Sequence, residues 1–265
     1  MKIAQVTKAA IENLPYHQLG TCNICGNITF FVCIDAKTAR NNMYCPFCYS
    51  SSRKRHVAKV LLEQIAKSQI EKPKNIKKIS SIAQLATVNH GSFYNADVDD
   101  AFFKYLHPSE SYICSSFQPG IQPGIETRKR VYCQSLEKLT FADASFDFVI
   151  TEDVLEHVRH HEQAFQELHR VLKPGGYHIF TIPCNFDQVT ILRVDTSGDE
   201  DIHLLPPEYH GDRLRGQILA YRTFGIDIFE FLDKIGFKTQ VDFSSYIDRK
   251  SGIFDSYVFC SQKIR

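Results

Sequence analysis

The stretch Leu136-Glu-Lys-Leu-Thr-Phe141-Ala-Asp143-Ala-Ser-Phe146-Asp-Phe-Val-Ile-Thr151-Glu152-Asp153-Val-Leu-Glu156-His157, with its continuation to Pro183, decides the fold. Phe146 to Thr151 joins aromatic and β-branched residues without Pro or Gly, the pattern of a buried strand. Glu162 to Leu172 then places Ala164, Leu168, Val171 and Leu172 on one helical face, and Lys173-Pro174-Gly175-Gly176 stops the helix. Tyr177 to Ile182 reads as the next strand. Strand, helix and strand in this order form a βαβ unit of a parallel sheet.

Outward from this unit, Ile79 to Ala86, Ser111 to Cys114, Lys238 to Phe243 and Tyr257 to Ser261 read as further strands, and Ile226 to Ile235 as a helix closed by Gly236. The expected architecture is α/β, a doubly wound and mostly parallel sheet over residues 77–265, with an irregular insertion at about 186–222. Ligands of such sheets sit beyond the carboxyl ends of the strands, which directs attention to the loops after Ala86, Cys114, Cys133 and Thr151.

Residues 1–76 are of another kind, expected to hold an N-terminal helix, a metal ribbon and a connecting helix. Cys22-Asn-Ile-Cys25 and Cys45-Pro-Phe-Cys48 are two C-x2-C pairs with 19 residues between them, a spacing that lets two tight turns offer four thiolates to one tetrahedral zinc. A redox pair or unligated thiols is the alternative. Ile28 to Ile34 reads as a ribbon strand, with Cys33 packed on it, and Ser52 to Lys67 as a helix behind a serine cap. That helix begins Arg53-Lys54-Arg55-His56, and the following linker adds Lys72, Lys74, Lys77 and Lys78. These cations form either a phosphate, nucleotide or RNA site or a plain solvated face.

The charge distribution follows the same division. Residues 1–80 carry 13 Lys and Arg against 4 Asp and Glu, a net +9, and the remainder is −8, so the total of +1 over 265 residues conceals a basic head on an acidic body. A hydrophobic content of 43% fits a globular chain, and no window approaches the roughly 18 to 20 apolar residues of a membrane span. Nine cysteines, an odd number, without a secretory signal point to reduced thiols and a cytoplasmic protein.

The segment quoted first, with Phe165-Gln-Glu167-Leu-His-Arg170-Val-Leu-Lys173-Pro174-Gly175-Gly176, resembles class I S-adenosylmethionine-dependent methyltransferases of the type 11 group over residues 135–183. The four-cysteine ribbon, Thr181-Ile-Pro183 and Leu204-Leu-Pro-Pro-Glu208-Tyr209-His210-Gly211 are similar to a subset associated with surface-polysaccharide and other envelope pathways. The resemblance implies S-adenosylmethionine as cofactor, held at Gln84, Ala86 and Gly91 after the first strand, Ser116 after the second, Ser135 and Leu136 after the third, and Glu152 after the fourth. Family members usually have a glycine-rich first turn and acids after the second and third strands. This chain has one glycine, Gln84, Ser116 and Ser135 there, so any bonds to the cofactor's hydroxyls are neutral instead of charge-assisted.

Asp153, Glu156 and His157 follow the fourth strand with a spacing that, in a helix, puts all three on one face. Similar segments in small-RNA and quinone-pathway methyltransferases hold a divalent ion with a distant histidine. Here the resemblance implies His210, with His203 second, and Mg, Mn or Fe among the ions such a second site would take. Otherwise His157 packs beside the strand with Glu156 behind it. His157, His210 and Asp153 are the expected catalytic groups, while His160, His161 and His169 are expected to face solvent. The segment 186–222 reads as a lid whose Arg193, Arg213 and Arg215 suit an anionic substrate, or as a polar surface insertion.

Three functions remain open on these grounds. The first is methyl transfer to an O- or N-nucleophile of a small, anionic molecule such as a nucleotide-linked sugar or phosphate-containing envelope precursor. The second is RNA methylation with the ribbon gripping the backbone, and the third is a non-catalytic scaffold.

Overall fold

The computed structural model describes residues 16–33, 38–68, 79–88, 91–212, 215–243 and 247–265. The expected N-terminal helix and the linker lysines Lys72, Lys74, Lys77 and Lys78 lie outside these. Contacts divide the chain into two compact units: Met1–Gly91 with Asp99–Tyr112 and Val241–Val258, and Ser92–Val98 with Ile113–Gln240 and Phe259–Arg265. The expected single boundary near residue 77 is therefore too simple, because two later segments return to the cysteine-bearing unit.

In the first unit β1 (Tyr16–Thr21) pairs antiparallel with β2 (Ile28–Cys33), and β2 pairs with β3 (Met43–Tyr44). The turn between β1 and β2 closes on Gly26 at φ 81°, a left-handed conformation that costs glycine nothing. Helix Ser52–Lys67 spans the expected residues, with the Ser51 hydroxyl accepting from Lys54 N and Val57, Val60, Leu61 and Ile65 buried. Returning segments are tied to this helix: the Ser52 hydroxyl donates to the Phe254 carbonyl at 2.7 Å, and Lys54 Nζ reaches Asp100 Oδ2 at 2.6 Å.

The second unit centres on a sheet that contains eight strands among the described residues. Its order from one edge is Phe237–Asp242, Val258–Lys263, β9 (Leu172–Thr181), β8 (Phe146–Glu152), β4 (Phe93–Asn95), β5 (Tyr112–Ser116), β7 (Val131–Cys133) and β6 (Glu126–Arg128). β4 and β8, β8 and β9, and β5 and β7 pair parallel, whereas Val258–Lys263 runs antiparallel to β9. The chain starts at β4, winds outward through β5 and β7, then returns to β8 on the other side of β4. Reversal of winding is where such sheets place a ligand crevice, here at the carboxyl ends of β4 and β8. The doubly wound, mostly parallel sheet expected from the sequence is thus present.

Helix His161–Val171 lies one residue ahead of its expected span and buries Ala164, Phe165, Leu168 and Val171, with Phe165 edge-on to Phe180 at 5.6 Å. Full burial of such side chains contributes roughly 1.5–3 kcal/mol each. The charged residues of the same motif hold the loop before β8. Arg170 donates to Glu167, to Asp143 and to the Leu139 and Phe141 carbonyls, and Glu167 Oε2 accepts from Leu139 N. Lys173 likewise meets Asp147 Oδ2 at 2.7 Å.

Two expectations fail. Ile79 to Ala86 is no strand: Ser81 caps a short helix, Ile82–Leu85, by accepting from Gln84 N, and the first strand of the sheet is Phe93–Asn95. The segment 186–222 is not irregular either. Val194–Asp195 pairs with Ile202–His203, Tyr209–Asp212 with Gly216–Leu219, and Ile191–Leu192 with Arg222–Gly225.

Candidate functional site

This crevice region lies beyond the ends of β4, β5, β7 and β8. β4 delivers the fully buried Asn95, followed by Ala96 and Asp97, and Asp99 at φ 58° turns the chain toward helix Ala101–Leu106 where a glycine was expected. β5 ends on Ser116, whose hydroxyl accepts from Gln118 Nε2 at 3.1 Å. Beyond β7, the Gln134 side chain exchanges hydrogen bonds with Thr140, and the Ser135 hydroxyl accepts from Glu137 N at 3.3 Å, with Leu136 buried beside it. β8 ends on Glu152, whose carboxylate oxygens are shielded from solvent.

Ser116, Ser135, Leu136 and Glu152 therefore stand at strand ends, as the resemblance implied. Gln84 and Ala86 do not: they lie on or just after the short helix Ile82–Leu85, and Gly91 precedes β4 at its amino end. The shift of the first strand moves that part of the crevice to Asn95, Ala96 and Asp97. Sequence reasoning missed these three because Phe93-Tyr-Asn95 is too short to register as a strand. A signal was present in the acidic run Asp97-Val-Asp99-Asp100, whose last member caps the next helix.

A second cluster follows β8. Only Leu155–His157 turn, as a single 3-10 turn, so the expected helical face does not form. Asp153, at φ 46°, points elsewhere, its Oδ1 accepting from the Thr181 hydroxyl at 2.7 Å. His210 arrives from the hairpin Tyr209–Leu219, its Nδ1 3.1 Å from His157 Nε2. Glu156 is fully buried, with Oε1 at 3.6 Å from His157 Nε2 and 3.8 Å from His210 Nδ1. Behind these atoms, His157 Nδ1 donates to the Leu219 carbonyl at 2.7 Å, and His210 Nε2 to Glu208 Oε1 at 3.1 Å. Burial first, and then the charge of His210, pushes the His157 imidazole below its ordinary value.

Arg222, almost fully buried, donates to the carbonyls of Leu155, Val158 and Arg159, and Tyr221 N to that of Glu156, so the insertion fastens the turn that carries the cluster. Arg193 pairs with Glu208 at 3.0 Å and Arg215 with Asp212 at 3.0 Å, while Arg213 is outside the described residues. His203 is exposed and outside the cluster. His161 and His169 do not face solvent as expected. They pack against Phe224 at 5.5 Å and Phe237 at 4.9 Å, and burial pushes His161 down to about 3.

In the first unit the sulfurs of Cys22, Cys25, Cys45 and Cys48 lie within 4.8 Å of one another. Cys22 and Cys48 are 3.7 Å apart, and Cys25 and Cys45 3.8 Å. Four thiolates at about 2.3 Å from one tetrahedral zinc stand about 3.8 Å apart, so this donor set fits zinc. Hydrogen bonds with Cys45 and Cys48 hold the Cys22 thiol well below its ordinary value, and the hydrogen bond with Cys22 pushes Cys45 up to about 11. Arg55, fully buried, donates to the carbonyls of Met43, Ser50, Ser251 and Gly252 and stacks 4.2 Å over Phe31. Burial pushes its guanidinium down to about 10, against the pull of the cysteine thiolates. Lys54 and His56 are buried too, so these three side chains are neither a phosphate grip nor a solvated face, while Arg53 is half-buried.

Residues 108–180 match the family described as a methyltransferase domain. The chain is 29% identical over 115 residues to 24-methylenesterol C-methyltransferase 2 of Arabidopsis thaliana, covering 43% of this chain and 29% of that protein. It is 36% identical over 69 residues to dimethylglycine N-methyltransferase of Parasynechococcus marenigrum, covering 26% and 25% respectively. The matches thus span less than a third of the length of either curated relative. Among solved structures, an S-adenosylmethionine-dependent methyltransferase from Mesorhizobium loti superposes with a TM-score of 0.41 at 13% identity, over 67% of this chain and 94% of that one.

Proposed function

We propose that this chain is an S-adenosylmethionine-dependent methyltransferase acting on an O- or N-nucleophile of a small molecule, with a structural zinc in its cysteine-bearing unit. The observation that carries the proposal is the winding reversal between β4 and β8, with Asn95, Asp97, Ser116, Ser135 and Glu152 at or just past the strand ends and the last three within residues 108–180, which match a methyltransferase domain. Neutral hydroxyl and amide groups there suit the ribose and adenine of an adenosine, and Asp97 and Glu152 suit hydroxyls or the cationic end of the cofactor. When bound, the cofactor supplies an electrophilic methyl carbon on a sulfonium. The protein's share of the work is to align an acceptor with that carbon and to dispose of the acceptor's proton. Glu156 and His157, in the turn after β8, with His210 from the hairpin Tyr209–Leu219, form the cluster to which we assign removal of that proton.

The narrower acceptor class, a nucleotide-linked sugar or phosphate-containing envelope precursor, rests on the resemblance of the ribbon and the Leu204 to Gly211 segment. Arg193 and Arg215 add less to it than the sequence suggested, since acids of the insertion already hold them. Burial of Lys54 and Arg55 likewise counts against the ribbon as an RNA grip. Calorimetric titration with S-adenosylmethionine and S-adenosylhomocysteine tests the proposal against a scaffold that has lost its ligand. Saturable binding of both at one site per chain is expected, and no heat at millimolar ligand would exclude the enzyme.

A further inference from the structure

We propose that Glu156, His157 and His210 form a two-histidine, one-carboxylate site for a divalent transition-metal ion, distinct from the cysteine cluster. This assignment rests on the donor atoms alone and holds or fails independently of methyl transfer.

The protonation pattern points the same way. A backbone carbonyl only accepts, so the 2.7 Å contact with Leu219 fixes the His157 proton on Nδ1. A carboxylate also only accepts, so the 3.1 Å contact with Glu208 fixes the His210 proton on Nε2. In the neutral cluster His157 Nε2 and His210 Nδ1 therefore turn two lone pairs toward each other at 3.1 Å, with a buried Glu156 oxygen 3.6 and 3.8 Å away. Three electron-rich atoms at these distances repel one another unless a proton or a metal cation lies among them.

The spacing suits a metal. Two nitrogens bound at about 2.1 Å to one ion stand about 3.0–3.4 Å apart, depending on whether the geometry is octahedral or tetrahedral. The carboxylate needs to close by only a few tenths of an ångström. Both histidines already have the outer partner that orients a ligating imidazole, a carbonyl behind one and a carboxylate behind the other. Two imidazoles and one carboxylate favour zinc, iron or a neighbouring transition ion over magnesium or calcium, and leave positions open for an oxygen of the acceptor. Asp153, committed to Thr181, lies outside this donor set.

Cobalt(II) titration of the full-length protein, its cysteine site already filled with zinc, tests the site. One further equivalent should bind, with visible bands that lack thiolate charge transfer. His157→Ala and His210→Ala should weaken this binding by at least a hundredfold while circular dichroism stays unchanged, and Glu208→Ala by ten- to a hundredfold. Cys45→Ser should leave these bands in place. No cobalt beyond the cysteine site at millimolar concentration would mean that a shared proton bridges the histidines, and the proposal is then wrong. Binding indifferent to His210→Ala would overturn it equally. Cobalt binding without S-adenosylhomocysteine binding would sink the methyltransferase reading and leave the metal site standing.

Discussion

Replacing Arg55 by Met is the sharpest perturbation of the cysteine-bearing unit. The guanidinium is fully buried and serves four carbonyls, those of Met43, Ser50, Ser251 and Gly252, which belong to three separate stretches of chain. Met fills much of the volume but donates nothing, so four acceptors lose a charged donor at roughly 1 kcal/mol each. Loss of stacking on Phe31 adds about 0.5–1 kcal/mol. The sum, about 4–5 kcal/mol, is a large share of the roughly 5–15 kcal/mol that holds a domain folded. At a urea dependence of about 2 kcal/mol per molar, the unfolding midpoint of this unit should fall by about 2 M. Arg55 is also the nearby positive charge facing four thiolates, so zinc should pass faster to a chromogenic chelator in the variant. A midpoint within 0.3 M of the parent (~0.6 kcal/mol), with unchanged zinc release, would refute the assignment of Arg55 to the interior.

Other substitutions probe separate parts of the account. Lys54→Met leaves the buried carboxylate of Asp100 without its partner at 2.6 Å, and urea unfolding should show a loss of about 3–5 kcal/mol. Gly225→Ala would drive a Cβ into the backbone of Gln188, Val189 and Thr190, and faster proteolysis within residues 186–222 should report the loosened insertion. Ser116→Asp restores an acid at the end of β5, and a charge-assisted bond to a ribose hydroxyl should tighten S-adenosylhomocysteine about tenfold by calorimetry. Cys45→Ser should bring the zinc content of protein purified without added metal from about one per chain to near zero.

The βαβ unit was legible because Phe146–Glu152 and His161–Val171 agree in pattern and length, although Lys173-Pro174-Gly175-Gly176, read as the stop of the helix, lies within β9, which begins at Leu172 instead of Tyr177. The cysteine pairs were legible because chemistry fixes their spacing. The first strand was not: Ile-Ala-Gln-Leu looked apolar enough for a sheet, yet the Ser81 cap made it helical, and the three residues of β4 carry too short a pattern to be seen. Burial of Arg55 was hidden for a different reason, since its acceptors near residue 251 lie almost 200 positions along the chain. In the histidine cluster the resemblance named both histidines, but the approach of His210 depends on a hairpin of short strands turned at Gly216, φ 83°, that no periodicity announces. Asp153 is named by the resemblance and by a spacing that needs a helix, and its left-handed φ breaks that spacing.

A crystal grown with saturating S-adenosylhomocysteine bears most directly on the central claim, that the winding reversal between β4 and β8 is a cofactor crevice. Density for the adenosine is predicted beside Asn95, Asp97, Ser116 and Ser135, at the carboxyl ends of the parallel strands. Density beside Gln84 and Gly91, or none at saturation, would contradict it.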